Sequence, residues 1–204
     1  MNYPKVLLFA AFSGIALPVT AADFSDPTWP CIQRKVERLS IGLMWPTPLE
    51  EIEIDPETSA AIADLADQLA LRRIALAELE PQVTAFAAGS DGDPQILGRV
   101  FERVFNSLSA RRTRIITGIG EFSLSQIALA EKIDAARVEM NTAIEAAEPD
   151  FDKVDALEEQ LDWDQVIYTD RQQSITYLCE TPVLLEKRLF AISQMLQQVS
   201  RSDG

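Results

Sequence analysis

The chain has 204 residues, with 18 basic and 32 acidic side chains, no histidine and two cysteines. A hydrophobic fraction of 47% beside 25% charged residues excludes a disordered acidic tail and predicts a chain that folds around a core. The net charge of −14 makes nucleic acid and anionic membrane surfaces poor partners for the chain as a whole and favours basic or neutral ones, while the missing histidine excludes His-dependent triads, zinc proteases and Glu-x-x-His di-iron sites.

Residues 1–21 read as a signal peptide. Lys5 precedes the apolar run Val6 to Leu17, and Val19 and Ala21 put small residues at the −3 and −1 positions of a cleavage site after Ala21, or one residue later after Ala22. A run of about a dozen residues is shorter than the ~20 that span a bilayer, although an uncleaved anchor is the alternative. The expectation is a periplasmic product with no stable membrane insertion after cleavage. In an oxidising compartment two cysteines predict one disulfide, Cys31 to Cys179. Without a Cys-x-x-Cys motif the pair reads as a structural staple and not a redox centre.

Residues 22–56 form a proline-rich arm, broken by Pro27, Pro30, Pro46, Pro48 and Pro56, with room for a short helix from Cys31 to Leu39. Trp29 and Trp45, with Leu43 and Met44, either pack the arm over the helices or leave one tryptophan as an anchor for a partner. A helical bundle occupies residues 57–200. Asp55-Pro-Glu-Thr places an N-cap, a proline at the first position and an acid in the first turn, predicting a helix over 57–73. A second helix follows over 77–88, with Pro81 tolerated in its first turn, and Gly89 to Pro94 is a loop.

From Pro94 to Ala147 no proline intervenes, and apolar residues recur every seventh position from Phe101 through Leu108, Ile115, Phe122 and Leu129. This predicts a long helix with a coiled-coil-like seam, continuous or bent near Gly118 and Gly120. Glu148-Pro-Asp reverses the chain, and Val154, Leu161, Tyr168 and Ile175 with Leu157, Asp164, Arg171 and Leu178 form the returning seams. A long antiparallel hairpin over 94–181 results. Folding near residue 149 sets Gln126 opposite Arg171 and Gln172, and Ile119 opposite Cys179, with Gly118 and Gly120 leaving room for the arm. After Pro182 a separate last helix runs to about Val199, and residues 201–204 fray.

Few side chains suggest chemistry. Asp91-Gly-Asp93 lacks the rest of a calcium loop, notably its terminal glutamate, and reads as a turn. Glu158, Glu159, Asp162 and Asp164 are neighbours on one helix, unlike the opposed carboxyls of a glycosidase. Arg111, Arg112 and Arg114 could grip a carboxylate or phosphate, with Arg171 as a further candidate, or pair with the chain's own acids. Asp164 and Arg171 at seam positions fix register. No metal site, cofactor or catalytic motif is expected.

Trp29-Pro-Cys-Ile-Gln-Arg-Lys-Val36 and Asp170-Arg-Gln-Gln-Ser-Ile-Thr-Tyr-Leu-Cys-Glu-Thr-Pro182 resemble segments of uncharacterised exported helical proteins of Gram-negative bacteria. The resemblance implies that the two cysteine neighbourhoods matter together, and implies no activity. The expectation is therefore an all-α bundle built on a long hairpin and clasped by a disulfide-tied arm. Its expected role is non-catalytic, a structural, adaptor or chaperone-like engagement of another envelope protein, and exposed seam edges offer a second copy a surface for homodimerisation. The alternative is a small-ligand or cation carrier with a pocket between helices. A buried pocket holding Arg111 or Arg112 would favour the carrier, and an exposed apolar strip on the hairpin the adaptor.

Overall fold

The computed structural model describes residues 25–200, so the signal segment and the tail 201–204 lie outside it. Among the described residues it contains four α-helices and no strand: α1 Pro56–Ala70, α2 Leu76–Gly89, α3 Pro94–Glu145 and α4 Phe151–Val199. Three of them start where an aspartate can satisfy the first unpaired N–H groups. Asp55 accepts from the amides of Glu57 and Thr58 at 3.0 Å, Asp93 from Gln95 at 2.8 Å and Asp150 from Lys153 at 3.1 Å. Pro56 and Pro94 follow their caps, at the position where a missing N–H costs nothing. The predicted Gly89–Pro94 loop is a tight reversal, with Asp91 and Gly92 at φ 53° and 66° and the Gly92 amide donating to the Ala87 carbonyl at 2.8 Å.

α3 and α4 pair along their length as the antiparallel hairpin. α3 is one uninterrupted helix of 52 residues, about 78 Å long, with no break at Gly118 or Gly120. The expected register holds at the disulfide, where Ile119 and Cys179 share a cluster, and at Arg112, which meets Glu186 across the hairpin. Nearer the tip the Gln126 side chain donates to the Tyr168 carbonyl at 3.2 Å, while Arg171 is exposed.

The expected stop at Pro182 does not occur, and the hairpin extends to Val199. Pro182 removes the bond that the Leu178 carbonyl would otherwise accept, at a cost of about 3 kcal/mol in a helix interior. Leu185, Leu189, Ile192 and Leu196, all fully buried beyond it, each contribute about 1.5–3 kcal/mol by burial, which more than offsets that loss. Pro81 likewise sits inside α2, beyond its first turn, where the carbonyl it leaves without a donor belongs to exposed Ala77.

The arm is a strap and not a helix between Cys31 and Leu39; among its described residues the regular structure is one 3₁₀ turn, Ile41–Leu43. Reach explains the difference. The arm is held at the Cys31–Cys179 disulfide, level with Ile119, and again where Trp45 covers Gly98, a span of about 32 Å along α3. A helix from Cys31 to Trp45 would cover about 21 Å, so the chain must extend. Side chains of the hairpin hold it at successive levels: the Ser123 hydroxyl donates to the Pro27 carbonyl, Ser193 and Gln197 to the Met44 carbonyl, and Gln95 to the Pro48 carbonyl. Gly98 is the closest approach, since a Cβ there would collide with the Leu49 side chain and lie 3.0 Å from the Trp45 indole nitrogen. Gly120 lies against Thr28, as the arm requires, whereas Gly118 faces open space.

The core thins along the hairpin. The base cluster joins α1, α2, the first part of α3 and the last part of α4, with Trp45 stacked on Phe101 at 5.5 Å. A smaller cluster around the disulfide holds Trp29, Ile116 and Ile119. Beyond it, Ile133, Ala136 and Leu161 are buried between α3 and α4 alone, supported by Leu129, Met140, Leu157 and Tyr168.

Candidate functional site

The two arm tryptophans are core residues. Trp29 is 6% exposed and its indole N–H donates to the Gln33 carbonyl at 2.6 Å; Trp45 is 4% exposed. Neither ring is offered to a partner on this surface. The arginine group is split by the helix that carries it. Arg112 points inward, where its Nε donates to Glu186 of α4 at 2.7 Å and its Nη1 to the Glu37 carbonyl of the arm at 3.4 Å. Arg111 and Arg114 point outward, and Arg171, although at a seam position, is exposed. A groove of about 410 Å³ between the arm and α3 is lined by Lys35, Glu37, Arg38, Thr113, Thr117 and Glu121 among others, and by none of those four arginines.

The acidic cluster is divided in the same way. Asp164 turns into the seam, where Lys132 of α3 lies 2.9 Å from its Oδ2 and 3.2 Å from its Oδ1, the register role expected of it. Glu158, Glu159 and Asp162 face outward. Among the described residues no group of three or more acidic or cysteine side chains is arranged to hold a metal ion.

The outward face of α4 near the hairpin tip carries a different combination. Trp163 is 64% exposed and Val166 54%, with Ile167 beside them and Tyr177 two heptads further on in Trp163's rotational position. With Val154, Leu161, Tyr168 and Ile175 as one seam row and Leu157, Asp164 and Leu178 as the other, Trp163 and Val166 fall on the side away from α3, where a two-helix coil normally carries polar residues. Asp155, Glu158, Glu159 and Asp162 border them in a shallow depression. Trp163 escapes a reading that follows only the seam rows. The available signal was its position, a tryptophan two residues after a seam leucine in a segment rich in acids.

Charge concentrates in the same place. Residues 125–170 hold thirteen acidic and three basic side chains, a net −10, against −4 for the whole remainder. The three cations are engaged locally: Lys132 with Asp164, Arg137 with Asp134 at 3.5 Å, and Lys153 with Glu139 at 2.7 Å. The hydrogen bond from Lys153 to Glu139, and then the charge of that carboxylate, raise the Lys153 pKa above its ordinary value. That pair ties the two helices next to the reversal.

Two further charged groups serve the frame. Arg188 of α4 donates to the Leu69 and Ile74 carbonyls at 2.8 and 3.1 Å, closing the end of α1, and burial, then Arg72, lowers its pKa. At the start of the arm Asp26 accepts from the Thr28 hydroxyl at 2.6 Å, from Lys35 at 2.9 Å and from the Thr28 amide at 2.8 Å, and these bonds hold its carboxyl down at about 2.

No helix among the described residues is long and apolar enough to cross a membrane. No protein-family model, curated protein or solved structure matches the chain.

Proposed function

We propose that this is a non-catalytic periplasmic protein that engages another envelope protein through the projecting tip of its α3–α4 hairpin. The observation that carries this reading is the exposed pair Trp163 and Val166 on the outer face of α4, an apolar surface of the kind that marks protein contact sites. Export is supported by the signal-like segment 1–21 and by the disulfide, which persists in oxidising compartments. The shape supports the same role. Past the arm's last contacts near Leu124, α3 continues for about 21 residues, roughly 32 Å, packed on α4 alone, so the tip stands clear of the bundle.

A variant lacking residues 127–168, with α3 and α4 rejoined by a short glycine-serine turn, tests the assignment. The base and disulfide clusters contain none of the removed residues, so helicity of the remainder should persist in circular dichroism. A protein that copurifies with the full chain and is lost with the trimmed one supports the reading. A protein retained equally by both places the contact on the base and overturns it.

A further inference from the structure

We propose that the hairpin tip receives a basic amphipathic segment of another protein, with the segment's apolar side on Trp163 and Val166 and its lysines or arginines on the carboxylates beside them. The inference rests on the reading of the tip as a docking surface and names the chemistry of the occupant. Charge complementarity selects it. Asp155, Glu158, Glu159 and Asp162 border the apolar pair and form no ion pair among the described residues, because Lys132, Arg137 and Lys153, the tip's three cations, are already held by Asp164, Asp134 and Glu139. Among the described residues, ten of the tip's thirteen carboxylates therefore have no cationic partner of their own.

The same arithmetic disfavours the other occupants. A second copy would set −10 against −10 at contact distances well inside the ~8 Å screening length of physiological salt, and an anionic lipid surface would be repelled in the same way. An apolar partner lacking cations would have to desolvate the bordering carboxylates without compensation. A basic segment neutralises them, gains rate from electrostatic steering, and buries the indole at the centre of the contact, the arrangement in which a tryptophan contributes most.

The probe is a labelled 18-residue helical peptide of leucine and lysine, with a counterpart in which glutamate replaces lysine, titrated against the full mature chain by fluorescence anisotropy. The lysine peptide is expected to bind and the glutamate peptide not to. Binding is expected to weaken about tenfold or more in 0.5 M NaCl, in Trp163→Ala, and in a variant combining Asp155→Asn, Glu158→Gln, Glu159→Gln and Asp162→Asn. Both variants change exposed side chains off the seam, so circular dichroism should be unchanged. Equal binding by these variants would place the peptide elsewhere and overturn the proposal. So would a dimer in sedimentation equilibrium that Trp163→Ala dissolves, which would make a second copy the occupant. Should the tip-trimmed variant lose a copurifying partner that nevertheless resists 0.5 M NaCl and the four-carboxylate variant, docking at the tip stands and the basic occupant fails; loss of nothing on trimming fails both.

Discussion

Replacing both cysteines, Cys31→Ser with Cys179→Ser, removes a crosslink that spans 148 residues of sequence. In the chain-entropy treatment a loop of that size restricts the unfolded ensemble by about 5 kcal/mol at 25 °C. For a chain of this length about 1 kcal/mol corresponds to roughly 2–4 °C, so the melting temperature should fall by about 10–20 °C. Helicity should survive, because the base cluster holds α1, α2, α3 and α4 together without either cysteine. The local effect should be larger than the global one. Trp29 shares its cluster with the disulfide, whereas the lower arm keeps the Met44 contacts to Ser193 and Gln197. Thermal melts followed at 222 nm, paired with acrylamide quenching of tryptophan, separate the two effects. A fall of less than about 3 °C, with quenching unchanged, would refute the view that long-loop closure and arm clasping stabilise the fold.

Three further outcomes follow from particular residues. Glu186→Ala leaves the buried Arg112 guanidinium with the Glu37 carbonyl as its remaining partner and should cost about 3 kcal/mol in urea unfolding, while Glu186→Gln, which keeps an acceptor, should cost about 1–2; equal losses would contradict the pairing. Pro182→Ala restores a helical donor to the Leu178 carbonyl at the expense of some buried ring surface and should stabilise by about 1 kcal/mol, so a destabilised variant would mean that the ring's packing outweighs the missing bond. Asp26 has its pKa lowered from 3.8 to about 2 in the folded chain, so its clasp on Thr28 and Lys35 is fully present above pH 4 and is lost as pH falls through 2; a carboxyl midpoint near 3.8 by NMR titration would show that the clasp does not form.

Much of the frame was legible because local chemistry and periodicity agree with the tertiary structure. Asp55-Pro56 and Asp93-Pro94 announce helix starts by capping, and the seven-residue row through Phe101 and Leu108 announces the seam, because these features act within one turn or one face. The continuous α4 was legible too, in a less obvious place. Val154, Leu161, Tyr168, Ile175, Pro182, Leu189 and Leu196 keep one seven-residue phase straight across the proline, whereas a separate helix would have had no reason to keep it. Local propensity argued for a stop at Pro182, and seam burial overrode it. The extended course of Cys31 to Leu39 was not legible from that segment, because it follows from the distance between two anchors on another helix. The site divided along similar lines. Asp164 reads as a register residue from its seam position, but the inward turn of Arg112 toward Glu186 depends on a partner 74 residues away. Trp163 lies outside both seam rows, and its exposure becomes informative only when the opposite side of α4 proves to be the buried one.

The most direct measurement is photocrosslinking in the native envelope with a photoreactive residue placed singly at Val166 on the tip and at Arg111 on the outer face of the base. A discrete adduct with another envelope protein from position 166, absent from position 111, is the predicted result. Adducts formed equally from both positions, or at position 166 with this chain alone, would contradict the assignment of the tip as the surface that engages a partner.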